Sequence, residues 1–158
     1  MKIKRFLSSQ IETLLQPGKV MILYGSRQVG KTTLVKELIA TLPLQSKFIN
    51  ADELAYRNVL ASQSSQQLGE LLGSAELLAL DEAQRVPEIG LNLKILVDSF
   101  PHARIIATGS ASFELANKIS EPLTGRKLTF TLFPVSYSEL QGTFGTIETR
   151  SQLERWLV

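Results

Sequence analysis

The nine residues Gly25-Ser26-Arg27-Gln28-Val29-Gly30-Lys31-Thr32-Thr33 constrain this chain more than any other stretch. They follow the apolar run Val20-Met21-Ile22-Leu23-Tyr24 and precede Leu34-Val35-Lys36-Glu37-Leu38-Ile39. That order reads as a buried strand, a glycine-bounded loop and an amphipathic helix, with the spacing G-x-x-x-x-G-K-[ST] in the loop. Its two glycines permit backbone angles that a Cβ would forbid, so successive N–H groups can turn inward around a phosphate chain. Lys31 offers a point charge to the β- and γ-phosphates, and the Thr32 hydroxyl can ligate Mg²⁺. The helix that starts at the loop adds its positive end to the same spot. Arg27 lies inside the loop, and its side chain is expected to point outward into solvent. The motif predicts binding of a nucleoside triphosphate.

The bulk properties narrow the classes that remain. At 158 residues the chain is one domain by the usual size relation, large enough to bury a core. It has no cysteine, which excludes disulfides and thiolate metal sites and fits a reducing compartment. A single histidine, His102, argues against a histidine-rich metal centre or a Ser-His-Asp triad. It stands in Ser99-Phe100-Pro101-His102-Ala103, which reads as a solvated turn before a strand. The net charge is +2 with scattered lysines and arginines, so charge neither suggests nor excludes a nucleic-acid partner. Residues 1–10 are basic but lack the apolar core of a signal peptide, and no later segment reads as a membrane span. A cytoplasmic protein is the expectation.

Strand and helix patterns alternate along the chain. Lys47–Asp52 reads as a second strand, followed by a polar helical region to about Gly73. Glu76-Leu77-Leu78-Ala79-Leu80-Asp81-Glu82 is an apolar run ending in two acids, as expected of a strand covered on both faces. Ile89–Phe100 has helical spacing, Arg104–Ser110 reads as a buried strand, and Phe113–Ile119 as a helix. Lys127–Leu132 alternates in character and suits a strand nearer an edge. Ser136-Tyr137-Ser138-Glu139 resembles a capping box, and Ser151–Val158 an amphipathic helix. Such alternation implies a parallel sheet between helical layers, with ligands at the carboxyl ends of its strands.

Asp81 and Glu82 therefore fall at the same edge as the phosphate loop. Asp81 is placed to hold Mg²⁺ with Thr32, and Glu82 to orient and deprotonate an attacking water. Two carboxylates at a buried strand end are costly unless a cation or donors meet them. The guanine-reading pattern Asn-Lys-x-Asp is spoiled by Ser120 in Asn117-Lys118-Ile119-Ser120, and the transporter signature Leu-Ser-Gly-Gly-Gln is absent. Small-molecule kinases usually lack a glutamate base beside the metal-binding aspartate. ATP with water as the nucleophile is the reading that survives.

At this point the chain resembles a known family. Gly-Ser-Arg-Gln-Val-Gly-Lys-Thr-Thr-Leu, Leu-Asp-Glu-Ala-Gln-Arg-Val-Pro, Ile-Ile-Ala-Thr-Gly-Ser-Ala-Ser and Leu-Thr-Gly-Arg-Lys, in that order, look like the AAA-type ATPase domain of a large group of prokaryotic P-loop ATPases. The likeness runs over Ile3–Val158 and implies a three-layer P-loop NTPase fold with a mainly parallel five-stranded sheet, in the order 5-1-4-3-2. It also implies that residues 1–158 form one ATPase domain, the N-terminal part of a longer protein. In that group a second domain usually follows, its function open and nuclease-like in one reading. Carried over by motif, Ser110 takes the role of the polar sensor of the γ-phosphate, with Thr108 and Ser112 as neighbouring hydroxyls that sequence does not separate from it. Arg126, in Leu123-Thr124-Gly125-Arg126-Lys127, is the candidate catalytic arginine, either in its own cleft or reaching into a neighbour's site in an oligomer. The first is slightly favoured, since the motif leads directly into the last strand. Gln84 is a candidate to orient water, equally readable as a loop or cap residue. The physiological role in the group is mostly undefined. The expected activity is a Mg²⁺-dependent ATPase that switches or drives a partner or appended domain. A nucleotide-binding module that hydrolyses little or nothing is the alternative, and a small-molecule kinase a weaker one.

Overall fold

The computed structural model describes residues 3–110 and 121–156, the side chains of 154 and 156 excepted. The expected helix over Phe113–Ile119 and the neighbouring hydroxyl of Ser112 lie outside the described residues. Helix α1 (Phe6–Leu14) leads to strand β1 (Val20–Gly25), the phosphate loop and α2 (Lys31–Thr41). There follow β2 (Ser46–Asn50), α3 (Leu54–Leu60), α4 (Ser65–Leu72) and β3 (Leu77–Asp81). A 3₁₀ turn (Ala83–Arg85), α5 (Ile89–Ser99) and β4 (Arg104–Ser110) come next, then β5 (Lys127–Thr131), α6 (Tyr137–Phe144) and α7 (Thr146–Trp156).

The strands form one parallel sheet in the order β2-β3-β4-β1-β5, which is the expected 5-1-4-3-2 read from the other edge. Alternate strand residues point to opposite faces, and the core divides accordingly. Val20 and Ile22, Leu78 and Leu80, and Ile105 and Ala107 pack on one face against Leu68 and Leu72 of α4 and Leu93 and Leu96 of α5. Met21 and Leu23, Leu77 and Ala79, and Ile106 pack on the other against Ile11 of α1 and Leu34, Val35 and Leu38 of α2. The central strands are buried on both faces, which is why their sequences are continuous apolar runs. β5 pairs only with β1, as its alternation suggested.

The polar region after β2 is two helices rather than one. Gln63 takes a left-handed conformation (φ 52°), its N–H donates to Asn92 Oδ1, and Ser64 restarts the chain as an N-cap accepting from the Gln67 N–H. The last helix likewise begins earlier than the sequence implied, at Thr146, because Gly145 (φ 84°) ends α6 one residue before. Ser136 and Glu139 do form the expected capping box. His102 lies exposed in its turn.

Gly69, in the middle of α4, marks where α4 meets the end of α5. A Cβ there would lie 2.6 Å from Cζ of Phe100. Glycine to alanine in a helix ordinarily stabilises by about 1 kcal/mol. Here the overpacking should win, so that Gly69→Ala destabilises by about 1–3 kcal/mol. In a Phe100→Ala background the same change should become stabilising, and a urea-melt double-mutant cycle reads the reversal of sign.

Candidate functional site

The loop between β1 and α2 is shaped by its neighbours as much as by its own glycines. A Cβ on Gly25 would approach the Leu132 carbonyl to 2.6 Å and Cγ2 of Val29 to 2.9 Å, so no side chain fits there. Gln28 (φ 65°) and Gly30 (φ 97°) both turn left-handed, folding the loop into a concavity that ends on the first turn of α2. Lys31 is only 6% exposed, and its ammonium donates to the carbonyls of Gly25 at 2.9 Å and Ser26 at 2.8 Å. The aliphatic stem is thus buried while the charge spans the loop. Ser26, Arg27 and Gln28 are exposed, as expected for Arg27.

Asp81, at the end of β3, is 5% exposed. Thr32 donates its hydroxyl to Asp81 Oδ2 at 2.7 Å, and Thr108 donates its own to Oδ1. Strand parity explains the meeting: Asp81 shares a face with Leu77 and Ala79, Thr108 shares it with Ile106, and that face carries α2. Both carboxylate oxygens are therefore satisfied by neutral hydroxyls, and the local charge stays negative. A hydroxyl and a carboxylate in contact are hard oxygen donors, which fits Mg²⁺ completed by phosphate oxygens and water. Thr108 is fully buried behind Asp81, so of the candidate hydroxyls it is a holder of the carboxylate.

Glu82 leaves the strand in a left-handed conformation (φ 55°). Its Oε2 accepts from Nε2 of Gln84. A cavity of about 420 Å³ is lined by Gln28, Gly30, Lys31, Thr32, Glu82 and Arg85, with Arg27, Thr33 and Asp52 at its walls. A second cavity, about 300 Å³, shares Gln28, Gly30 and Thr33 with it and adds the apolar Ile3, Val29, Leu34 and Val135. Ser110 sits at the end of β4 in register with Gly25, at the mouth of the loop.

Residues 17–141 match the family described as an AAA domain. The chain belongs to the AAA domain family. It is 34% identical over 124 residues to an uncharacterized protein of Mycobacterium tuberculosis, covering 78% of this chain and 27% of that one. It is 28% identical over 152 residues to an uncharacterized protein of Methanocaldococcus jannaschii, covering 86% and 32%. This AAA domain thus spans about a third or less of those relatives' length. Among solved structures it resembles Pif1 helicase from Candida albicans (TM-score 0.55, 14% identity, 91% of this chain and 43% of that one). A structure of two coordinating Pif1 helicases unwinding forked double-stranded DNA aligns with TM-score 0.60 at 14% identity, over 98% and 52%. At that identity the likeness is one of fold. The chain is a P-loop ATPase domain of the AAA type, and among the described residues no helix is long and apolar enough to cross a membrane.

The AAA domain places Arg126 away from its own cleft, which corrects the expectation of an arginine acting there in cis. Arg126 enters β5, and its carbonyl accepts from Val20 N–H at the start of β1. The loop lies at the other end of β1, about 16 Å along the strands. The Arg126 guanidinium pairs instead with Asp98 at 3.2 Å, both side chains half-exposed. Two other arginines line the cavity beside the loop, Arg27 and Arg85, and the Nε of Arg85 lies 3.2 Å from Asp52 Oδ1. Arg85 carries no sequence signal of its own as a cavity residue, although it stands three residues after Glu82 in the same motif.

Arg5 carries no such signal either. It is 8% exposed and donates to Glu139 Oε1 at 3.1 Å, to the Val29 carbonyl at 2.9 Å and to the Phe133 carbonyl. Glu139, 6% exposed, accepts further from the N–H groups of Phe6 and Ser136, each at 2.9 Å. Burial alone would raise the Glu139 pKa. The two backbone donors and the Arg5 guanidinium outweigh it and hold the carboxyl below its usual range. A depressed folded-state pKa stabilises above the unfolded value and loses that stabilisation as pH falls through the folded one. The melting-temperature gap between wild type and Glu139→Gln should accordingly be full at neutral pH and shrink in acid, below the ordinary carboxyl pKa. A gap that does not change between neutral pH and strong acid would count against an ionised Glu139.

Proposed function

We propose that this AAA domain binds and hydrolyses ATP with Mg²⁺ and uses the cycle to switch or drive a partner or appended domain. The observation that carries the reading is the convergence of Lys31, Thr32 and Glu82 on one cavity next to the loop, with the Asp81 carboxylate held against Thr32. The loop N–H groups and Lys31 would take the phosphates, Gly25 through Thr33 forming the cradle. Mg²⁺ bound to the phosphates would complete its shell on Thr32 and Asp81 and neutralise charge developing on the transferred group. Glu82, free to turn from Gln84 toward the cavity, orients a water and accepts its proton. Ser110, level with Gly25, serves as the polar sensor of the γ-phosphate. The apolar second cavity, continuous with the loop through Thr33 and Gly30, suits the base.

Lys31→Ala should lower ATP affinity about a hundredfold or more, by removing the buried charge that meets the phosphates. Glu82→Gln should keep ATP affinity and lower turnover by about 10²–10⁴. Isothermal titration and phosphate release separate the two, and equal ATP affinity in wild type and Lys31→Ala would sink the reading. The Glu82–Gln84 bond favours one second reading, a module slow to hydrolyse alone; turnover that stays at background with DNA or protein partners added would select it.

Arg85 is the cation proposed for the γ-phosphate. Its half-exposed pair with Asp52 is worth little, so a phosphate can displace it. Arg85→Ala should cut hydrolysis about 10²-fold while leaving ADP affinity close to wild type. Arg126→Ala should leave hydrolysis by the dilute domain unchanged. If Arg126 serves a neighbouring copy, mixing Arg126→Ala with Lys31→Ala protein should restore activity, and no recovery at any ratio would end that role.

A further inference from the structure

Arg5 stands outside every motif, yet its guanidinium ties together three segments far apart in sequence. The acceptors are the Val29 carbonyl in the phosphate loop, the Phe133 carbonyl after β5 and the Glu139 carboxylate in the first turn of α6. The Val29 carbonyl matters most. In a trans peptide unit C=O and N–H point in opposite directions, and this carbonyl shares its unit with Gly30 N–H. Arg5 lines the second, apolar cavity and not the one that holds Lys31. Drawing the carbonyl toward Arg5 therefore turns Gly30 N–H toward the Lys31 side, where a phosphate oxygen needs a donor. Arg5 Nη1 also lies 3.7 Å from the place a Gly30 Cβ would occupy, so the guanidinium backs the residue whose left-handed φ closes the loop.

We propose that Arg5 is a positioning residue that presets the phosphate loop, and that Glu139 makes its grip depend on the seating of α6. The proposal rests on the reading of the loop as a phosphate site. Glu139 is fixed on two sides, by Phe6 N–H of α1 and by Ser136 N–H at the head of α6. A shift of α6 against α1 takes the carboxylate away from Arg5 and frees the guanidinium to leave Val29. The pair has no net charge, so it acts on the loop through geometry, and its effect on nucleotide affinity is insensitive to salt. Linkage makes the coupling reciprocal: nucleotide that tightens the loop also steadies α6.

The test uses the whole chain with ¹⁵N label in two variants. The first is the pair Arg5→Met with Glu139→Leu, because replacing a buried ion pair by apolar side chains is often near neutral for stability. The second, Arg5→Lys, keeps the charge and loses the fork, and it decides the matter if the pair variant does not fold. The Gly30 amide resonance should move in both variants without nucleotide. Affinities for ATP and ADP should fall together by about tenfold or more, with saturated turnover changed less than about threefold, since the loop holds both nucleotides alike. ATP should slow hydrogen exchange at the Phe6 and Ser136 amides in wild type and not in Arg5→Lys. A folded variant with the wild-type Gly30 resonance and wild-type ADP affinity overturns the positioning role, and unchanged exchange at both amides overturns the coupling to α6. If the wild type binds neither nucleotide, the phosphate-site reading falls by itself, while the Gly30 resonance still decides whether Arg5 sets the loop.

Discussion

A carboxylate buried at a strand end must be met by donors, and the way Asp81 is met organises the cleft. An unpaired buried charge would cost several kcal/mol. Thr32 from the first turn of α2 and Thr108 from β4 supply the donors, so one side chain joins the loop–helix unit to two adjacent strands. Because the donors are hydroxyls, the charge is solvated without being cancelled. A lysine or arginine at either place would neutralise Asp81 and leave a divalent cation little to bind. Strand parity makes the arrangement strict. A one-residue slip of β3 would turn Asp81 onto the opposite face, toward α4 and α5, and bring Leu80 to Thr32.

Parity also poses a problem that the backbone resolves. Consecutive strand residues point to opposite faces, so Asp81 and Glu82 could not both serve one cavity if β3 simply continued. The left-handed turn at Glu82 ends the strand and brings its side chain to the cavity that Thr32, the hydrogen-bond partner of Asp81, also lines. For a non-glycine residue that conformation costs about 1–3 kcal/mol, and Gln28, which lines the same cavity, bears the same strain. Neither residue is glycine, so the side chains, not the turns alone, are what the site retains. The surroundings hold the strain: Ala83, the first residue of the 3₁₀ turn, and Val86, just after it, are fully buried.

How much of this was legible depends on how local each interaction is. The phosphate loop, β1 and Asp81 could be read because their residues are contiguous and their pattern is imposed by burial on both faces. The break at Gln63 could not, since it depends on a backbone conformation stabilised by Asn92, 29 positions away. Arg5 and Glu139 are 134 residues apart, and neither carries a pattern that names the other. The cis placement of Arg126 fails for a different reason. It precedes its strand, and in a parallel sheet a residue entering a strand lies at the amino edge, away from ligands bound at the carboxyl edge. That rule was available from sequence and already separated Arg126 from Arg85, which follows its strand.

The segment after β5 gives the cleft a feature that its motifs do not contain. Leu132 N–H donates to the Tyr24 carbonyl at 2.7 Å, and the Leu132 carbonyl occupies the space a Gly25 side chain would need. One residue on, the Phe133 carbonyl meets the same guanidinium that holds Val29. The exit from β5 therefore abuts both ends of the phosphate loop, directly at Gly25 and through Arg5 at Val29. Phe133 and Tyr137 on this segment are exposed, as is Phe6 across from them. Exposed aromatic side chains on a segment that braces a ligand loop can be moved by whatever contacts them without disturbing the buried strands. The sheet supplies the rigid carboxylate and the first turn of α2 the lysine, while the adjustable geometry of the loop is set from its outer side, where the start of α1 meets the exit from β5 and the head of α6.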